Sequence, residues 1–364
     1  MPANHIRSIL IVLVIMAMAL LSSGSPLACT VMRLKLGDQW IVARNHDWVS
    51  GGGLVIFNPR GISKQAISPN QPLRWTSLYG SVSMNQFGRE IPFAGMNEKG
   101  LTVDLLQLRD TQFPDRSDPR SSVNAIQWVQ YQLDCAATVE EVIASLDEVR
   151  PQPFIEVLEK VHYFVTDPSG DAAIIEYLDG EAIVQHDPAS ACVLANSTWK
   201  ESRRAIQQND PRGNSETRVT LANRLVGDAA NLDEDTSPID YAFDALHRVR
   251  QPTTTQWSLV YEPAQKRITF HTRMNEQRRW IDLDELSLDK ACPVVCVDIN
   301  SPHSGNLAEH LRPLSTEDNR RIVDEAFDAI VPPSFLRSAV KGLVVQYGES
   351  LEALPQDTLS KSTP

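Results

Sequence analysis

Residues 29–48 constrain the fold more than any other stretch of the chain. Thr30 to Leu36 alternates in β fashion, Gly37-Asp38 supplies a two-residue turn, and Gln39 to Ala43 returns as a second strand. A hairpin brings its two open ends together. Cys29 therefore lies beside Arg44-Asn45-His46-Asp47-Trp48, and Cys29, Arg44 and Asp47 can meet without any further assumption about the fold. On the same alternation His46 is expected to point away from that meeting place, which disfavours a Cys29–His46 dyad.

What precedes Cys29 reads as a secretory leader, residues 1–28. His5 and Arg7 make a weakly basic start, and Ile9 to Leu21 is an uninterrupted apolar run. That run is short of the roughly 20 residues a spanning helix needs. Ser22 to Pro26 breaks it with small and turn-forming residues, and Ala28 suits the −1 position of a cleavage site. Pro26 fits −3 poorly, so cleavage after Gly24 followed by trimming of Ser25 to Ala28 is the alternative. A lipobox reading of Leu27-Ala28-Cys29 also meets Pro26 where an aliphatic residue belongs. Cleavage after Ala28 would make Cys29 the first residue of an exported chain, periplasmic or secreted, with no stable membrane insertion after processing.

The 364 residues are 42% hydrophobic and 22% charged, with a formal net charge of −12. This is globular composition, long enough for a sizeable core. The acidic balance, with no basic block, argues against nucleic acid as a partner. Besides Cys29 there are Cys135, Cys192, Cys292 and Cys296. In an oxidising compartment these can pair, Cys292 with Cys296 or either with Cys135 or Cys192, or stay as buried thiols. No P-loop, dinucleotide fingerprint or zinc motif occurs, and His303 and His310 lie in polar sequence with no metal-ligand spacing, so no cofactor and no metal are expected.

Along the rest of the chain, Leu54 to Asn58 reads as a short strand and 60–90 as irregular. Ile91 to Met96 and Leu101 to Leu108 are strands joined by a tight turn with Gly100 in the left-handed region. Ser121 or Ser122 can cap a helix running to Cys135, and Thr138 to Glu141 is a capping box for a second helix to about Val149. Val161–Val165 and Ala172–Tyr177 form a hairpin, and Glu181–His186 and Cys192–Asn196 continue the β series. Helices are expected near 216–226 and 239–248, then a hairpin of Trp257–Tyr261 and Arg267–His271. Strands and helices in blocks favour a layered α+β architecture over a βαβ repeat. A domain at 29–311 is followed by a helical C-terminal extension, 312–364, whose helices begin near Ser315 and Phe335 and whose tail from Glu352 is expected to be disordered.

An N-terminal cysteine has a simple chemical logic. A thiol titrates near 8.5 and is mostly protonated at neutral pH. A free α-amino group titrates near 8 and can take the thiol proton from the same residue. Arg44 would favour the thiolate and Asp47 would hold the ammonium. An ordinary surface ion pair between Arg44 and Asp47 is the plainer alternative.

Cys29-Thr30 behind a leader, with Arg44-Asn45-His46-Asp47, resembles the choloylglycine hydrolase family, the penicillin V acylases and bile-salt hydrolases of the N-terminal nucleophile superfamily. Gly95 to Leu101, Val193 to Ser197, Gly213 to Arg218, Gln256 to Tyr261 and Arg279 to Leu283 resemble family segments in the same order, so the likeness spans roughly residues 29–300. It implies a four-layer αββα sandwich and a cysteine amidase acting on a linear amide. Cys29 would be the nucleophile, Arg44 and Asp47 its supports, Asn196 an oxyanion-hole donor and Arg218 a stabilising charge. Gln107 falls where relatives carry a second Asn or a Tyr. Trp48, following Asp47 as in the Gram-negative branch, would line an acyl pocket suited to phenoxyacetyl or fatty acyl groups. Small acyl amides such as penicillin V, acyl-homoserine lactones or conjugated bile salts are the implied substrates, and a homotetramer the implied assembly. The alternatives are a secreted or lipid-anchored binding protein of the same fold without catalysis, or an acyltransferase.

Overall fold

The computed structural model describes residues 28–156, 159–187, 192–232, 235–289 and 291–351. The leader up to Leu27 and the tail from Glu352 lie outside the described residues. The chain begins with strands β1 (Thr30–Leu36), β2 (Gln39–Asp47), β3 (Leu54–Asn58), β4 (Ser63–Gln65), β5 (Arg74–Thr76), β6 (Ser81–Asn85), β7 (Pro92–Asn97), β8 (Thr102–Gln107) and β9 (Ser121–Asn124). Helices α1 (Trp128–Cys135) and α2 (Val139–Ser145) follow, then β10 (Val149–Gln152), β11 (Val161–Thr166), β12 (Ala172–Leu178), β13 (Glu181–Gln185) and β14 (Val193–Leu194). Next come α3 (Trp199–Gln208), α4 (Asn214–Asp228) and α5 (Pro238–Val249). The last strands are β15 (Thr255–Glu262), β16 (Arg267–Thr272), β17 (Arg279–Asp282), β18 (Val295–Asp298), β19 (Gly305–Asn306) and β20 (Arg312–Pro313), followed by α6 (Thr316–Ile330) and α7 (Phe335–Ser350).

Two large sheets organise these elements. One has seven strands in the order β14-β1-β2-β15-β16-β17-β19, the other nine in the order β13-β12-β11-β8-β7-β6-β3-β18-β20. Strand alternation sorts their side chains into layers. Val31 and Val42 join Val82, Leu106, Phe164 and Ile174 in a core between the sheets. Their neighbours Met32 and Ala43 face the other way, onto Val219 and Ala222 of α4 and Ala242 and Leu246 of α5. Val103, Leu105 and Tyr163 leave the outer face of the nine-stranded sheet to pack on Val129 and Leu133 of α1 and Val142 of α2. Helix, sheet, sheet, helix is the four-layer αββα sandwich that the family resemblance implies.

The 30–47 hairpin forms in the expected register, Thr30 opposite Asn45 and Val31 opposite Arg44, with Gly37 at φ +60° in its turn. The hairpins of β11 with β12 and β15 with β16 form as expected. Ser315 caps α6 in a reciprocal box with Asp318.

Other expectations are corrected. Ser121–Asn124 is a strand paired in parallel with Val149–Gln152, and α1 begins only at Trp128. Its start is held by Asn124, whose Oδ1 accepts from the Ile126 and Gln127 amides, so the serines are taken up by the strand. α2 ends at Ser145 because Val149 belongs to β10; Thr138 accepts from the Glu141 amide, but the Glu141 carboxylate turns to the Ala137 amide and the box stays open. The 60–90 segment contains β4, β5 and β6, and β6 is central to the nine-stranded sheet. α3 was not foreseen, although Thr198 and Glu201 form a complete capping box. Its mostly polar sequence hid the periodicity.

The two C-terminal helices pack on the outer core of the nine-stranded sheet through Val323, Ala326, Phe327, Val340, Val344 and Val345. Cys135, Cys292 and Cys296 form no disulfide, and Cys192 accepts a hydrogen bond from Arg33 Nη2 at 3.5 Å. Among the described residues, no helix is long and apolar enough to cross a membrane, and no group of three or more His, Cys, Asp or Glu could hold a metal ion.

Candidate active site

The site forms where β1 begins and β2 ends. Cys29 is 5% exposed and belongs to the core between the sheets. Its Sγ lies 4.0 Å from Arg44 Nη2 and 4.0 Å from the Asp47 carbonyl oxygen. Burial pushes the thiol upward, Arg44 and more weakly Arg218 pull it down, and the Asp47 charge pushes it up again. The hairpin thus brings Cys29, Arg44 and Asp47 together as its geometry requires.

Arg44 is not a surface residue. It projects inward from β2 and crosses to the other sheet, pairing with Asp104 on β8 at 3.0 Å with both side chains fully buried. Nη1 also donates to the Phe93 carbonyl at 2.6 Å and Nη2 to the Leu105 carbonyl at 2.8 Å. The guanidinium is thereby fixed with one corner aimed at Sγ. Asp104 went unnoticed in the sequence. Its signal was present, because an Asp inside the buried strand Thr102–Gln107 requires a partner charge.

Asp47 accepts from Thr255 Oγ1 through one carboxylate oxygen, while the buried Oδ2 has no hydrogen-bond partner among the described residues. Burial raises its pKa from 3.8 to about 6, against the opposing pull of Thr255, Arg218 and Arg44. His46 corrects the sequence reading. It shares Arg44's face of β2, with Nδ1 3.5 Å from Arg44 Nη2 and Nε2 3.2 Å from Gln86 Oε1. Burial and the Arg44 charge lower its pKa to about 3. A ring so held is neutral and has its nitrogens turned to Arg44 and Gln86. Asn45, on the opposite face, is tied to the Leu246 carbonyl and to Ser258.

β14 flanks β1 on the side away from β2. Asn196 follows it and donates from Nδ2 to the Gln107 carbonyl at 2.8 Å. Gln107 therefore meets Asn196 through its backbone. Arg218 on α4 ties the pieces together: Nη1 donates to the Cys29 carbonyl at 2.6 Å and to Thr30 Oγ1, Nη2 to Asn196 Oδ1 at 2.9 Å, and Nε to Asn214 Oδ1 at 2.8 Å. The Asn196 amide donates to Ser215 Oγ at 2.8 Å. Ser215, Asn214 and Thr255 were not singled out in the sequence, since lone hydroxyl and amide residues in helices and strands carry no pattern. A cavity of about 410 Å³ adjoins Asn196, lined by Ser197, Arg204, Arg212, Asn214 and Ser215 among others.

On the other flank Trp48 is half-buried in aromatic company. Its ring centroid lies 5.9 Å from Phe87, 5.7 Å from Phe93 and 6.2 Å from His46. The cavity lining includes Asn196, which Arg218 joins to the Cys29 carbonyl, while Trp48 and Phe93 lie around His46. Such an arrangement gathers a thiol, cationic side chains and an amide donor, the groups that attack on a carbonyl requires.

Comparisons with known proteins agree with this chemistry. The family described as linear amide C–N hydrolases, choloylglycine hydrolase family, matches residues 29–209, starting at Cys29 itself. Penicillin V acylase of Pectobacterium atrosepticum is 25% identical over 368 residues, covering 85% of this chain and 96% of that protein. The structure of penicillin V acylase from Agrobacterium tumefaciens superposes with a TM-score of 0.68 at 26% identity, covering 79% of this chain and 98% of that one. A variant of conjugated bile acid hydrolase from Clostridium perfringens shares the fold, with a TM-score of 0.65 at 18% identity over 76% of this chain and 98% of that one. Motif order, four-layer fold, site geometry and these matches agree that the chain belongs to the choloylglycine hydrolase family and is a linear amide C–N hydrolase.

Proposed function

We propose that the protein is an exported acylase of the penicillin V type, with Cys29 as both N-terminal residue and nucleophile. The observation that carries this reading is the placement of Cys29 Sγ 4.0 Å from the buried, fixed guanidinium of Arg44, beside a buried Asp47 oxygen that has no hydrogen-bond partner among the described residues. Removal of residues 1–28 would leave an α-amino group on Cys29. As an ammonium it would answer the Asp47 carboxylate, and as an amine it would take the thiol proton.

The thiolate then attacks the amide carbonyl. The oxyanion accepts from the Asn196 Nδ2 hydrogen not held by Gln107; one such donor is worth roughly 3–4 kcal/mol of barrier. The α-ammonium passes its proton to the leaving nitrogen, the C–N bond breaks and the amine departs. Water, deprotonated by the same amine, attacks the acyl-thioester and restores the thiol. Arg218 holds the Cys29 carbonyl and Asn196 in one frame throughout.

The acyl group belongs on the Trp48 flank, where Phe87 and Phe93 complete an aromatic wall. The amine side belongs over the polar cavity at Asn196. This favours an aromatic or fatty acyl group on a polar amine, as in penicillin V and acyl-homoserine lactones, ahead of a conjugated bile salt. A homotetramer is part of the same reading.

The test is direct. Protein recovered from the exported fraction should begin at Cys29 by N-terminal sequencing and intact mass. It should release 6-aminopenicillanic acid from penicillin V, and Cys29→Ser should bring that release to background. An active protein starting at Ser25, or a Cys29→Ser variant with unchanged turnover, would overturn the proposal.

A further inference from the structure

One buried titratable pair takes no part in the chemistry above. His162 on β11 and Glu176 on β12 are 0% and 2% exposed, with Nδ1 3.2 Å from Glu176 Oε1. His162 Nε2 lies 2.8 Å from the Ala195 carbonyl, which can only accept, so Nε2 carries a hydrogen. Glu176 Oε1 also accepts the Trp199 amide at 2.8 Å. The ring and the carboxyl face one another at Nδ1, and between them they hold the chain immediately before Asn196 and three residues after it.

Asn196 needs such support. The edge strand before it, β14, has two residues and pairs with β1 at Val31–Leu194 and Met32–Val193, with one more backbone bond from the Arg33 amide to the Cys192 carbonyl at 2.8 Å. Gln107, whose carbonyl accepts from Asn196, is opposite Val161, next to His162 in the same sheet. The nine-stranded sheet therefore grips the Asn196 segment from one patch, through a carbonyl, an imidazole and a carboxylate.

We propose that His162, supported by Glu176, is a positioning residue that sets where Asn196 stands relative to Cys29. The inference rests on the reading of Asn196 as an oxyanion donor. It predicts a loss in kcat with KM nearly unchanged, because the transition state depends on the position of that donor more than the bound substrate does. A displacement of the order of 1 Å in such a group can lower the rate by roughly ten- to a hundredfold.

The experiment compares His162→Gln, which keeps an N–H near the Nε2 position, with His162→Asn, which does not reach Ala195. Each is made alone and with Asn196→Ala, and penicillin V hydrolysis and thermal midpoints are measured. We expect His162→Asn to lower kcat about tenfold or more with KM within about threefold, and His162→Gln to recover most of it. In the Asn196→Ala background His162→Asn should have almost no further effect. Equal losses in both His162 variants that follow the thermal midpoint, or a full additional loss on top of Asn196→Ala, would overturn the inference. If His162→Asn does not fold, Glu176→Gln, which keeps an acceptor for Trp199 but loses the charge opposite Nδ1, must show the same coupling to Asn196, and additivity there would overturn it equally. An Asn196→Ala variant with wild-type kcat would instead remove the oxyanion reading on which the inference stands.

Discussion

Arg44 and Asp47 lie three residues apart on one strand and bury their charges in different ways. Arg44 is matched by a carboxylate and two carbonyls, so its charge is held at a definite point beside Cys29 Sγ. Asp47 is buried with one oxygen unanswered among the described residues and its pKa raised from 3.8 to about 6. A carboxyl raised in the native state adds most to stability below its unfolded pKa and loses that contribution as pH rises through its native value. With the Ala28–Cys29 bond intact, Asp47→Asn should therefore stabilise the fold above about pH 6, by on the order of 1–3 kcal/mol. It should change little near pH 4. Thermal unfolding at pH 4 and pH 8 checks this, and equal midpoints at pH 8 would refute it. On the proposed reading, in which cleavage leaves Cys29 with an α-ammonium facing Asp47, the same substitution should lower penicillin V turnover at least tenfold.

At the scale of elements, β2 is the frame of the site. Its inward residues Val42, Arg44 and His46 meet the other sheet, and its outward residues Ala43 and Asn45 meet α5. The C-terminal pair α6 and α7 reaches the same site from behind the aromatic wall, because Phe327 packs edge-on against Phe87, which in turn touches Trp48. Gly88 makes that approach possible. Its φ is +119°, and a Cβ there would come within 2.8 Å of Val344 Cγ1 and 3.0 Å of Val323 Cγ2. Gly88→Ala combines backbone strain with overpacking and should destabilise the protein by roughly 2–4 kcal/mol. Urea unfolding measures this, and an unchanged midpoint would show that the helices yield freely.

For the whole molecule, the C-terminal helices are part of the outer core of the nine-stranded sheet. Tyr347 Oη is 2.6 Å from Gln127 Nε2, and Asn319 Oδ1 accepts the Arg89 amide at 2.7 Å. The same region buries Lys64 between Glu90 at 2.6 Å and Asp134 at 2.8 Å. A chain ending at Leu314 would expose the apolar face around Phe87 and admit water beside these charges. Such a chain should bind a hydrophobic dye, sediment as aggregates and lose most of its turnover. A soluble, fully active protein ending there would contradict this.

The local pattern determined a good deal unaided. The 30–47 hairpin, and with it the meeting of Cys29, Arg44 and Asp47, follows from a glycine turn between two alternating strands. The hairpins of β11–β12 and β15–β16, the cap of α6 and the block order of strands and helices were legible for the same reason, since turn chemistry and periodicity act over neighbouring residues. Resemblance, not periodicity, pointed to Asn196 and Arg218. Only the tertiary structure decided that Arg44 takes Asp104 as its charge partner, that Gln107 meets Asn196 through its backbone carbonyl, and that His162 and Glu176 hold the segment around Asn196. It also made Ser121–Asn124 a strand by pairing it with Val149–Gln152. These are contacts between residues far apart in the chain. Such pairings are selected by which buried polar groups can satisfy one another once the two sheets have closed, and no local propensity encodes that choice.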